Sequence, residues 1–192
     1  MNTISKGKRL IFLFCALLAG CTRMNIDVSN RLILPANSSI AVGAFANHSD
    51  TPLANRQVES MLVGLLQTKG FTRISHYQRK ESCAKLLYCP DETLSKKQII
   101  HWARARHIHY VFMGAVNEWR YKVGLDGEPV AGLSILAIDA HSGRTVWSSV
   151  GSAIGGSRSG LDIIGQSLLK CLLASVYPTL YPVQTIKTAA TK

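Results

Sequence analysis

The stretch 109–153, "HYVFMGAVNEWRYKVGLDGEPVAGLSILAIDAHSGRTVWSSVGSA", decides the fold. Gly124, Gly127 and Pro129 interrupt it once, and His141-Ser142-Gly143-Arg144 interrupts it again. Three strands follow: His109 to Lys122, Val130 to Asp139 and Thr145 to Ala153. Connections this short can join only antiparallel neighbours, so the stretch reads as a meander. In the first strand the odd positions Val111, Met113, Ala115, Trp119 and Tyr121 carry more apolar surface than Gly114, Glu118 and Arg120, which predicts one inward face. In the second, Leu133, Ile135 and Ala137 alternate with Ser134, Leu136 and Ile138. Apolar residues on both sides predict cover on both faces.

Upstream, "SIAVGAF" over Ser39–Phe45 reads as a strand. Asn47 to Pro52 is a turn, with Thr51 as helix cap and Pro52 at the first helical position. The helix that follows puts Val58, Met61, Leu62 and Leu65 on one face and stops at Gly70. Phe71 to Ser75 is a short strand. Ser95-Lys96-Lys97-Gln98 fits a capping box, so a second helix runs to about Arg106 with Ile99, Trp102 and Ala103 inward. Leu161, Ile164, Leu168 and Leu172, widened by Leu169 and Leu173, stripe a last helix that reaches about Val176. The order is β-α-β-α-β-β-β-α, an α+β fold with a two-layer mixed sheet and helices packed on it. One domain over 39–177 accommodates it.

The first residues read as a targeting segment. Lys6, Lys8 and Arg9 precede an apolar run from Leu10 to Leu18, far shorter than the roughly 20 residues a membrane span needs. The run ends in Leu18-Ala19-Gly20-Cys21, which resembles a bacterial lipobox. Residues 1–20 are then a signal peptide and Cys21 the lipidation site, whose acyl chains anchor the protein in the outer membrane. Thr22, where an Asp would resemble an inner-membrane retention signal, favours outer-membrane delivery. Residues 21–38 read as a lipidated polar tether and 178–192 as a polar tail.

The chain has 192 residues and a formal charge of +11. Loss of Lys6, Lys8 and Arg9 leaves 19 basic against 11 acidic residues, or +8. An exported protein meets lipid phosphates rather than nucleic acid, so the excess suits a membrane surface and excludes a nucleic-acid partner. The helix from Ser95 has no acid but carries Lys96, Lys97, Arg104 and Arg106; it is either a solvated face or a contact with lipid phosphates or an acidic neighbour. Cys83 and Cys89 fit a short-loop disulfide in an oxidising compartment, whereas a metal pair would need a second pair. Cys171, among leucines, reads as a buried free thiol.

No residue set points to catalysis, a metal or another cofactor. His107-Ile108-His109 is a lone HxH without a third ligand type. Glu118 with Asp126 or Glu128 would be an acid/base pair on a strand and a hairpin tip, with no pocket implied by the spacing. The protein reads as a binding or assembly part, not an enzyme.

The segments "ALLAGC", "AVGAFANHSDTPLA" and "AVNEWRYKVGLDGEPVAGLSILAIDAHSGRTVW" resemble the PelC family, outer-membrane lipoproteins of the Pel exopolysaccharide export system. The middle segment is shared with CsgG and TolB N-terminal type domains. The resemblance implies a non-enzymatic homo-oligomeric ring, a dodecamer, on the periplasmic leaflet. It also implies that an acidic surface guides a cationic polysaccharide toward the outer-membrane porin PelB. Asp126 and Glu128, at the hairpin tip, are expected to meet the polymer or a neighbouring subunit. Glu118 and Arg120 would pair either across a subunit seam or within the chain. Arg158, in the turn "GSAIGGSRSG", is the expected membrane-facing residue. The alternative of a lipoprotein activator docking on a cell-wall synthase asks for a longer tether than about 17 residues.

Overall fold

The computed structural model describes residues 22–78, 95–124 and 126–179. The chain runs β1 (Arg23–Val28), β2 (Leu32–Pro35), β3 (Ser39–Val42), β4 (Ala46–Asn47), α1 (Ala54–Thr68), β5 (Arg73–His76) and α2 (Lys96–Ala105). It continues with β6 (Tyr110–Tyr121), β7 (Pro129–Asp139), β8 (Thr145–Ile154), α3 (Leu161–Leu172), a 3-10 turn at Leu173–Ser175 and β9 (Val176–Thr179). The main sheet has the order β1-β8-β7-β6-β3-β5, with β4 beside β6; β2 and β9 form a separate parallel pair. The expected α+β class and mixed sheet hold: the β6-β7-β8 meander is antiparallel, and β3 is parallel to both β5 and β6.

Helices α1 and α3 cover one face, closing the larger core around Ile40, Val42, Phe112, Leu133, Ile135 and Trp147. Helix α2 covers only part of the other, where Ile99 and Ala103 meet Ala41 and Val111. Its predicted capping box is present: Gln98 N–H donates to Ser95 Oγ at 3.3 Å, and Ser95 N–H to Gln98 Oε1 at 2.9 Å. Trp102 is half-buried beside Tyr77.

Four sequence expectations change. The tether over 21–38 is largely sheet: β1 pairs antiparallel with β8, and β2 pairs parallel with β9. The alternation Met24-Asn25-Ile26-Asp27-Val28 has the period of a strand, and β8 offers it an open edge. The second change is in β6, where the register shifts between Val116 and Glu118. This bulge puts Phe112 and Val116 into the larger core before it and Trp119 after it, so no single parity holds along the strand. Tyr121 is accordingly 51% exposed, and its hydroxyl accepts from Leu161 N–H at 3.0 Å, capping α3.

Third, α1 begins at Ala54, behind Leu53 in the left-handed region at φ 61°, and not at Pro52. Thr51 does not cap it because its hydroxyl is spent on the Trp119 carbonyl. Asn47 ties the turn instead, accepting from Ser49 N–H and donating to the Thr51 carbonyl. Fourth, Cys171 is exposed, not buried. Ile164, Leu168, Leu169 and Leu172 face the core, which turns position 171 outward, and the helix gives way to a 3-10 turn at Leu173 rather than continuing to Val176. Cys21, Cys83, Cys89 and the tail beyond 179 lie outside the described residues.

The β7–β8 turn has an electrostatic clamp. Asp139 Oδ1 accepts from His141 N–H at 2.7 Å and Ser142 N–H at 3.2 Å. Burial pushes this carboxyl up, but the Ser142 and His141 hydrogen bonds and the nearby His141 charge outweigh it and hold it below the ordinary carboxylate value. A depressed folded value stabilises above the unfolded carboxylate range and loses that contribution as pH falls through the folded value. Asp139→Ala is therefore expected to cost about 1 kcal/mol at neutral pH, because the site is partly exposed. Urea melts should show the difference from the parent shrinking on acidification; a pH-independent difference would refute the clamp.

Candidate functional site

The part of the sheet that α2 leaves uncovered forms a cleft of about 480 Å³. Register builds its floor: Glu118, Gly132, Ser152 and Asn25 lie in one row across β6, β7, β8 and β1. Asp27, beside Val150, begins the next row. His48, Ser49 and Asp50 close one side, carried by the turn after β4 and pinned by His48 N–H to the Val116 carbonyl at 2.8 Å. Gly132 keeps the floor open, since a Cβ there would stand 3.3 Å from Glu118 Cβ.

Three carboxylates, Asp27, Asp50 and Glu118, thus share one open cleft. Within one chain Glu118 Oε1 lies 2.8 Å from Arg120 Nη2, and with both side chains partly exposed this contact contributes under about 1 kcal/mol. Asp27 and Asp50 have no ion-pair partner among the described residues. Asp27 lies in the segment whose polarity reads as a tether; the alternation Met24-Asn25-Ile26-Asp27-Val28 is the sequence signal that places it on a strand.

The hairpin tip is a separate place. Asp126 and Glu128 do not line the cleft. Glu128 Oε2 accepts from Lys122 Nζ at 3.1 Å, while Asp126 is exposed without an ion-pair partner among the described residues. Gly127, at φ 51°, supplies the left-handed conformation the tip requires. Val123 beside it is 99% exposed. Arg158 is exposed in the turn between β8 and α3.

Among the described residues, no group of three His, Cys, Asp or Glu could hold a metal ion. His107 and His109 are not a chelating pair: His109 Nδ1 accepts from Ser39 N–H at 3.4 Å, and His107 sits in a helix-terminating turn. The Ser49 hydroxyl donates to Asn47 Oδ1 at 2.7 Å, so it serves the turn. Arg120 and His48 line the cleft as well, but its three carboxylates outnumber the one guanidinium, so what it can do chemically is attract cations to an open surface. No helix among the described residues is long and apolar enough to cross a membrane.

No family model matches the sequence, and neither does any curated protein sequence. Solved structures do match. The PelC dodecamer from Paraburkholderia phytofirmans is 31% identical, with TM-score 0.68 over 80% of this chain and 96% of that one. A leucine-to-methionine variant of the same dodecamer is 30% identical, with TM-score 0.70 over 82% of this chain and 100% of that one. Lipoprotein GNA1162 from Neisseria meningitidis is 15% identical at TM-score 0.52, covering 71% of this chain and 96% of that one, a likeness of fold alone. With the PelC structures matched along nearly their whole length, this chain belongs to the PelC family.

Proposed function

We propose that this chain is a lipid-anchored periplasmic ring subunit of a Pel-type export system, and that its cleft guides a cationic polysaccharide toward an outer-membrane porin of the PelB kind. The observation that carries the reading is the gathering of Asp27, Asp50 and Glu118 about one open cleft in a chain whose matched relatives are dodecamers. Local segregation of carboxylates lets a basic chain present an acidic guide surface, because a polymer responds to the field in the cleft rather than to net charge. The role requires no bond-making step.

The start of β1 bears on orientation. Only Thr22 separates Cys21 from Arg23, the first residue of β1, a reach of about 7 Å in extended chain. An acylated Cys21 would hold this end of the sheet close to the bilayer. Arg23 pairs with Ile154, which pairs with Val130, so the Arg158 turn and the 122–128 hairpin lie toward the same end. Arg158 and the exposed Val123 then face lipid, with Asp126 and Glu128 at the membrane rim and the cleft carboxylates farther in.

The test separates assembly from guidance. Negative-stain imaging of the purified lipoprotein should show closed rings. Asp27→Lys combined with Asp50→Lys should leave the rings intact and lower polymer secretion by about tenfold or more. Asp126→Lys with Glu128→Lys tests the tip in the same way. A monomeric lipoprotein would end the ring reading, and normal secretion from the Asp27/Asp50 variant would end the guide role of the cleft, whatever the tip variant does.

A further inference from the structure

A second cleft, of about 710 Å³, opens at the opposite end of the sheet, where β3, β5 and β6 begin and β7 ends. Its walls bring together Arg73, Arg104, His107, His109 and His141, with Asp139 as the carboxylate. They come from β5, α2, the α2–β6 link and the β7–β8 turn, so chain proximity alone does not explain the gathering. The Asp139 carboxylate is turned to its own backbone, accepting from His141 and Ser142. Arg104 is held in place, Nε donating to the Ala140 carbonyl and Nη2 to the His141 carbonyl, each at 2.7 Å. By accepting from Ser39 N–H, His109 Nδ1 leaves Nε2 as the protonated nitrogen. Arg73 and the His107 ring have no hydrogen-bond or ion-pair partner among the described residues. The Tyr110 hydroxyl, raised by burial and then by the Asp139 charge, remains a proton donor.

His107 is the telling residue. Helix α2 ends with Ile108 N–H donating to the Ala103 carbonyl at 3.0 Å and His107 N–H to the Arg104 carbonyl at 3.1 Å. This is a Schellman termination, and His107, at φ 54°, occupies the left-handed place that glycine fills most readily. A strained non-glycine residue there, with its ring lining a cationic cleft, points to a use for that ring.

We infer that this second cleft binds a phosphate group, with Arg73, His107 and His109 as donors and Arg104 as a fixed neighbouring charge. Guanidinium and imidazole N–H groups lining one pocket match the several acceptor oxygens of phosphate. Asp139 opposes binding, and Arg73 and Arg104 favour it. The site does not rest on the guide reading, but a headgroup ligand would overturn the orientation proposed from Cys21, because this cleft lies at the end of the sheet away from Arg23.

The full-length protein should be titrated with inorganic phosphate while its histidine side-chain NMR signals are followed. A parallel titration would use phosphatidylglycerol vesicles at equal phosphate. His107 and His109 signals are expected to move with at least one probe. Free phosphate as the stronger probe identifies a soluble ligand, and vesicles as the stronger probe identify a headgroup. Arg73→Ser should weaken binding about tenfold. His107→Gly should weaken it similarly while raising the melting temperature by about 2–4 °C, because glycine relieves the left-handed turn. A merely structural His107 would show the stabilisation with unchanged affinity. That result, or no movement of the histidine signals with either probe, overturns the proposal.

Discussion

Trp119→Ala is expected to destabilise the protein by about 3–5 kcal/mol, enough to unfold a large part of the population at 37 °C. Trp119 is only 2% exposed, and its indole Nε1–H donates to Gln57 Oε1 on α1 at 3.1 Å. Its ring also lies against α3 where Gly165 has no side chain; a Cβ there would overlap the indole. One residue of β6 therefore spaces both helices of the larger core. The complementary change, Gly165→Val, should cost about 1–3 kcal/mol by overpacking, since neither the buried ring nor the helix can retreat. Urea unfolding of the two single variants and the double variant checks the argument. Strict additivity would disprove direct packing, because touching residues couple. A Trp119→Ala midpoint close to the parent would disprove it as well.

Glu59→Ala is expected to cost about 3 kcal/mol or more. Glu59 is completely buried on α1, yet it is charged by type. Its Oε1 accepts from Phe45 N–H at 2.7 Å, and its Oε2 lies 3.1 Å from His76 Nε2 on β5. One turn earlier, Asn55 Nδ2 donates to the Phe45 carbonyl at 3.1 Å. The two side chains thus grip both sides of the Phe45 backbone where the chain leaves β3 for the turn before α1. A helix with the predicted stripe of Val58, Leu62 and Leu65 would not need them; the sharp exit from β3 does. Glu59→Gln keeps a carbonyl acceptor for Phe45 N–H and should lose clearly less than the alanine variant in the same melts. Equal losses would show that the backbone grip is not the source of the stability.

Periodicity revealed elements that carry their own signal. The α2 capping box needs only Ser95 and Gln98 at the right spacing, and both hydrogen bonds form. The β6-β7-β8 meander needs only apolar runs and tight turns. Elements that depend on a distant partner were hidden. β1 is polar enough to read as a tether until β8 offers an edge, and β9 forms only beside β2. Asn55 and Glu59 lie on the buried side of α1, where no composition rule expects a carboxylate.

The same division applies to the site. Glu118 and Arg120 were legible as one strand face, because alternate residues point the same way, and they do form an ion pair. Asp27 and Asp50 were not, because they reach the cleft from β1 and from the turn after β4. The hairpin tip was legible as a charged turn, but its separation from the cleft was not. By itself the sequence determined the α+β class, the order of its helices and central strands, and the family resemblance, since local spacing and motif identity encode these. Only the tertiary structure decided where the bulge at Val116/Glu118 turns β6 and that the supposed tether is an edge strand. It alone brought three carboxylates to one cleft and the arginines and histidines to another, because those meetings are set by long-range register and packing.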